Sequence, residues 1–314
     1  MQGAPTRIVW DNHACMPLRP GDGHFLEQLD RYAASGVDVV SLNIGFGTQS
    51  LAEHLRMLAW FRHWIKARGD RFLLVDSAEA AETAAASGRL GICFDVEGMS
   101  FLEDGDLGMV ELLYDLGVRW MLFAYNRNSP TGGGCQDEDE GLTAFGRQVL
   151  REMERVGMVA CCSHVGERTA LEVLDQAGAP VILSHSNAKA VRDNPRNISD
   201  DVIRACAATG GVVGINGFGM FLGENDSSTE AVLRHVDHMV QLVGPDHVGL
   251  GLDYVFDAQE LKDAIAKMRQ TFPDSADYPD EFAMVEPERT GPFQQVRAMR
   301  SQLPPMILST AAAS

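Results

Sequence analysis

Short apolar runs rich in β-formers alternate with longer stretches of helical spacing along most of the chain, and this alternation constrains the fold more than any other feature. The runs lie at 7–11 (RIVWD), 37–42 (VDVVSL), 90–96 (LGICFDV), 118–124 (VRWMLFA), 158–162 (MVACC), 181–184 (VILS), 212–215 (VVGI) and 248–252 (VGLGL). Near-continuous apolar strands suit a parallel sheet buried on both faces. Between them, helices are expected at 25–34, 51–67, 78–87, 107–116, 142–156, 169–176, 199–209 and 229–243. Glycines at 36, 88, 117, 157, 178 and 210 stand where left-handed C-caps are wanted, and Ser199 and Thr229 offer N-caps. Eight such units predict an α/β fold, a TIM-type (β/α)8 barrel, because right-handed βαβ connections close that number into a ring. A doubly wound open sheet is the alternative. At 314 residues the chain fits one domain over 1–314.

Net charge excludes some partners. With 26 Lys+Arg against 44 Asp+Glu the formal charge is −18, which disfavours nucleic acid and anionic membrane and favours a small-molecule substrate. No window approaches the roughly 18 apolar residues of a membrane span, and Met1-Gln-Gly-Ala-Pro-Thr-Arg7 has no apolar stretch after its charge; the expectation is a cytoplasmic protein. Six cysteines, two adjacent and three in strand-like runs, read as reduced thiols.

In a barrel the working residues stand at the C-terminal ends of the strands. There the sequence places His13 and Cys15, Glu97, Tyr125 and Asn126, His164, His185, Asn216 and Asp253. Alone, a His-x-Cys pair is most often a packed histidine beside a buried thiol, and a buried Glu is most often salt-bridged. Together, three histidines, two carboxylates and a thiol converging on one mouth read as a metal site. His13 and Cys15, two apart on a strand, face the same way. Glu97 ends an apolar run and must be paired, protonated or metal-bound. Asp253 closes Gly-Leu-Gly-Leu-Asp, where a carboxylate could manage a proton. Arg196 is placed to reach over the mouth and hold a carboxylate. The segment 214–219 lacks dinucleotide spacing and reads as a loop. His235 and His238 belong to an outer helix, and the acidic run 136–140 reads as a solvated, mobile loop.

The segments Asp11-Asn-His-Ala-Cys-Met-Pro17, Val96-Glu-Gly98, Ser163-His-Val165, Ser184-His-Ser-Asn-Ala188, Pro195-Arg-Asn-Ile-Ser-Asp200 and His247-Val-Gly-Leu-Gly-Leu-Asp253 together resemble the membrane (renal) dipeptidase family of zinc peptidases, in order over 7–257. The resemblance implies a barrel hydrolase of dipeptides with one or two Zn2+ per chain and a homodimeric assembly. It further implies that Glu97 bridges the metals, His13 with Cys15 serves one, and His164 and His185 serve the other. Asp253 would manage the proton, and Arg196, Tyr125 and Asn126 the substrate. Three departures stand out. Cys15 occupies the family's aspartate position, Tyr125 that of a histidine, and from about residue 288 the chain diverges into a tail of its own. Cys15 and Tyr125 motivate two alternatives: a one-metal barrel enzyme without dipeptidase activity, and a catalytically silent metal-binding homologue.

Overall fold

The computed structural model describes residues 8–103, 105–271 and 282–290. Its strands are β1 (Trp10–Cys15), β2 (Val39–Phe46), β3 (Phe72–Leu74), β4 (Leu90–Glu97), β5 (Val118–Leu122), β6 (Val159–Cys161), β7 (Val213–Ile215), β8 (Val248–Leu250) and β9 (Tyr254–Val255). All pair in parallel, in the order β6-β5-β4-β2-β1-β8-β7, with β3 on the lower half of β4 and β9 beside β1. The expected run 181–184 forms no named strand. Isolated parallel bridges from Ile182 to Cys161 and from Leu183 to Val213 nevertheless place it between β6 and β7, and so close the ring. The predicted α/β barrel is therefore the observed architecture.

The helices between strands are α1 (Asp30–Ala34), α2 (Leu51–Lys66), α3 (Ala78–Ser87), α4 (Gly108–Asp115), α5 (Ala144–Val156), α6 (Glu167–Gln176), α7 (Asp200–Ala208), α8 (Gly219–Leu222), α9 (Thr229–Val243) and α10 (Ala258–Thr271). Caps set most of their ends. Ser50 and Glu53 form a reciprocal capping box on α2, and Ser77, Thr143 and Ser199 each accept a first-turn N–H. Two cap expectations need correction. Ser228 rather than Thr229 caps α9, and α6 ends on Ala177 in extended conformation, so Gly178 is not a left-handed cap. The stretch 25–34 begins as a 3-10 turn, Leu26–Leu29, before α1. Among the described residues no helix is long and apolar enough to cross a membrane, and all six cysteines are free thiols.

The two faces of β4 show how the core is divided. Ile92, Phe94 and Val96 belong to the main core with Leu58 and Phe61 of α2 and Val110 of α4, whereas Cys93 joins Val39, Trp120, Leu122 and Cys161 in a second cluster. Strand alternation carries that second face onward through Asp95 to Glu97, so the inner face turns from apolar to acidic toward the strand's C-terminal end. Burying the apolar members contributes about 1.5–3 kcal/mol for each large side chain. The acidic members must be held by other means.

The acidic loop is pinned, contrary to the expectation of a mobile one. Asp137 accepts from Arg127 and from the Asn128 N–H, and Asp139 accepts from the N–H of Gly141 and of Thr169 and from the Thr169 hydroxyl. Asp139 thereby supplies the first turn of α6 with an acceptor that its N-cap, Gly166, lacks. The expected tail from 288 lies almost wholly outside the described residues. Its beginning forms the turn Pro287–Thr290, where Arg31 of α1 binds Glu286 and Glu288.

Candidate metal centre

Four of the ring's segments deliver one polar cluster. Glu97 Oε1, at the end of β4, lies 3.2 Å from His13 Nε2 on β1, 3.3 Å from His164 Nε2 after β6, and 3.3 Å from His185 Nε2 after the 181–184 run. His164 Nε2 and His185 Nε2 are 2.9 Å apart, and the rings of His13 and His185 stack with centroids 4.0 Å apart. The other Glu97 oxygen accepts from Asn43 Nδ2 of β2 at 2.8 Å. All of these groups are buried.

The approach that brings His185 in depends on two glycines. A Cβ on Gly214 would stand 2.1 Å from the Ser184 carbonyl oxygen, and one on Gly251 would stand 1.8 Å from it. Any other residue at either position would push the His185 segment away from the ring. Backbone strain gathers at the same place. His164, Asn126 and Asp253 hold φ of 64°, 60° and 57°, a conformation non-glycine residues adopt at a cost on the order of 1–3 kcal/mol. They are three of the four non-glycine residues with positive φ among the described residues.

The far side of each imidazole decides what its near side can do. His164 Nδ1 lies 2.7 Å from Asn126 Oδ1, an oxygen that only accepts, so the proton sits on Nδ1 and the Nε2 lone pair faces Glu97. His185 Nδ1 meets Ser184 Oγ at 2.8 Å. Lone pairs turned toward a carboxylate at this range repel unless a proton or a cation lies between them. Burial, followed by the charge of Arg196, lowers the pKa of His164 to about 3, and burial with the charge of His13 holds His185 well below its ordinary value. Neither ring readily supplies the missing positive charge. Burial opposes a charge on His13 too, but Glu97, Asp95 and Cys15 outweigh it and raise its pKa well above 6.5. Burial likewise works against Glu97, yet the charge of His13 and the contacts of the three rings keep it ionised, well below the usual carboxylate range. The donor set, two neutral imidazoles and a third whose proton a cation would replace, around an ionised carboxylate, fits a divalent first-row cation.

A second donor group shares His13. Cys15 Sγ lies 3.4 Å from His13 Nε2 and 3.2 Å from Asp253 Oδ1, with His13 Nε2 to Asp253 Oδ1 at 3.7 Å. Asp253 Oδ2 accepts from Asn216 Nδ2 at 2.8 Å. Burial, then the charge of Asp253, raises the Cys15 thiol well above its ordinary pKa, so it donates its proton to Asp253. Burial raises Asp253 as well, against the pull of His13.

The structure thus brings His13, Cys15, Glu97, His164, His185 and Asp253 together and places the other three expected residues around them. The Tyr125 ring stacks on His164 with centroids 4.4 Å apart and lies tilted against Phe46 at 5.3 Å. Asn126 meets His164 through its carboxamide oxygen. Arg196 is buried beside the cluster, donating to the His185 carbonyl at 2.8 Å and Ser186 Oγ at 3.3 Å, with Nε lacking a partner, and its charge acts on His164 and Asp253. Sequence reasoning passed over Asn43, Asp95, Ser184 and Phe46. The first two were detectable as polar residues at inward positions of otherwise apolar strands.

Comparison with known proteins places the chain in a family. Residues 24–279 match the model of the membrane dipeptidase family, peptidase family M19. An uncharacterized dipeptidase of Schizosaccharomyces pombe is 32% identical over 72% of this chain and 54% of its own length, and a second from the same yeast is 31% identical over 67% and 51%. The chain spans about half the length of these curated relatives. Among solved structures, an amidohydrolase from Pseudomonas aeruginosa superposes with a TM-score of 0.74 at 28% identity, covering 79% of this chain and 74% of that one. A metallopeptidase from Rhodobacter sphaeroides shares the fold at TM-score 0.70 and 24% identity, over 85% of this chain and 93% of its own. With the family model matching residues 24–279, most of the barrel, the chain belongs to the membrane dipeptidase family, peptidase family M19.

Proposed function

We propose that this chain is a metal-dependent hydrolase that cleaves dipeptides, or related small amides bearing a free carboxylate. The observation that carries the reading is the convergence of three imidazole Nε2 atoms on one oxygen of an ionised, buried Glu97. Glu97, His164, His185 and His13 would hold the tighter cation, and Cys15 and Asp253 offer a second, weaker place beside it. Zinc is the ion best matched to this mixed N, O and S donor set. A bound divalent cation supplies Lewis acidity, to water and to the scissile carbonyl.

The remaining steps belong to side chains of the chain. Asp253, anchored by Asn216, takes a proton from the attacking water at its accepting Oδ1 and passes it to the leaving amine. Its raised pKa supports that use. The Arg196 guanidinium retains an unpartnered buried Nε–H and gives the mouth its positive charge, which attracts a substrate carboxylate. Tyr125 walls the mouth beside His164, and its phenol offers one hydrogen bond to the substrate. Asn126 serves by holding the His164 ring.

One observation favours the alternative of a single tight metal. The Cys15 thiol stays protonated against Asp253, so a cation there must first displace that proton. The test of the main reading is amine release from a panel of L,L- and L,D-dipeptides by zinc-loaded protein. Arg196→Lys should lower kcat/KM by about tenfold or more on free dipeptides, through loss of the planar guanidinium fork, and have little effect on C-terminally amidated ones. No amine release from any dipeptide would remove dipeptide hydrolysis from consideration.

A further inference from the structure

Asp95 is a fully buried carboxylate for which the fold has no evident use. It stands on β4 two residues before Glu97, on the same face, opposite Asn43 of β2 and Trp120 of β5. Neither of its oxygens has a hydrogen-bond partner, and an apolar residue at this position would extend the inner cluster without the desolvation cost. The His13 imidazole faces it. His13 Nδ1 lies 3.4 Å from Asp95 Oδ2, and that nitrogen has no other partner.

The other two imidazoles of the centre have an oxygen at Nδ1: the Asn126 carboxamide for His164 and the Ser184 hydroxyl for His185. His13 completes the pattern with a charged acceptor in place of a neutral one. It is also the residue common to both donor groups, with Nε2 within 3.7 Å of Glu97, Cys15 and Asp253. A carboxylate at Nδ1 keeps a proton there, leaves Nε2 as the nitrogen offered to a cation, and makes that nitrogen a stronger donor.

We propose that Asp95 is a positioning residue for the metal centre: it holds the Nδ1–H of His13 and so presents Nε2 to the cation. This rests on the metal-centre reading given above, and the experiment separates the two. Full-length protein loaded with 113Cd and labelled with 15N-histidine should show cadmium coupling at His13 Nε2 and a retained, strongly deshielded Nδ1 proton. Zinc affinity, measured by competition with a chelator, should fall by about 10–100-fold in Asp95→Leu, which removes the acceptor at similar volume. Asp95→Asn keeps an acceptor oxygen without the charge and should recover part of the loss. Coordination through His13 Nδ1, or Asp95→Leu binding zinc within about twofold of wild type, overturns the proposal while leaving the metal centre intact. If wild type binds neither ion, the metal-centre reading fails and this proposal fails with it. Should Asp95→Leu not fold, the wild-type spectrum and the Asn variant decide.

Discussion

Cys15 is the side chain on which the number of metals turns. A carboxylate ordinarily gives up its proton far more readily than a thiol, and the Cys15 thiol, desolvated and facing Asp253, holds its own. The expected outcome is one tightly held zinc per chain in wild type and two in Cys15→Asp, read by metal analysis after dialysis. Two retained ions in wild type would contradict it. At this scale the sequence was informative wherever a polar residue ended an apolar run, which is how His13, Glu97, His164, His185 and Asp253 were found. It was silent on orientation. Nothing in a string of residues says that Asn126 turns back onto His164, or that Arg196 folds inward onto the His185 carbonyl, since the path of the intervening chain decides both contacts.

Among the elements, α9 shows how a helix is fastened to the ring through a buried histidine. His235 Nδ1 accepts the Ala188 N–H and Nε2 donates to the Leu222 carbonyl, so the neutral ring satisfies both sides and the imidazolium cannot. Burial accordingly lowers its pKa from 6.5 to about 4. Because the folded value lies below the unfolded one, this contribution to stability is complete above pH 6.5 and is lost as pH falls through about 4. His235→Gln, with one acceptor and one donor but no titration, should flatten the decline of Tm between those limits. Parallel Tm curves for the two proteins would rule this out. Helix spans such as 78–87 and 229–243 were legible to the residue, because caps and apolar spacing agree. β3 and β9, at three and two residues, carry too little alternation to be seen. α10 follows Asp257, whose side chain accepts the N–H groups of Gln259 and Glu260, a start signal that was present but not used.

Across the whole molecule, the excess of acid is managed by a few arginines that each gather several carboxylates from distant segments. Arg19 joins Asp22, Asp257 and Glu260, and Arg31 joins Glu286 and Glu288 while donating to the Tyr254 hydroxyl. Pairings separated by more than 200 residues leave no local trace in the sequence, although the eightfold alternation was enough to give the architecture they tie together. The bridges at Ile182 and Leu183 have a mechanical meaning. A closed ring is as firm as its slackest joint, and here that joint is flanked by His164 on one side and followed by His185 on the other. A cation shared by those two rings would act as a fastener across the seam, making barrel closure a consequence of metal occupancy as well as of backbone pairing. Hydrogen exchange at the amides of Ile182, Leu183 and Ser186 should therefore quicken at least tenfold when the metal is chelated, a loss of roughly 1.4 kcal/mol of local protection, while the amides of β4 stay slow. Equal exchange at the seam with and without metal would mean that the joint closes unaided.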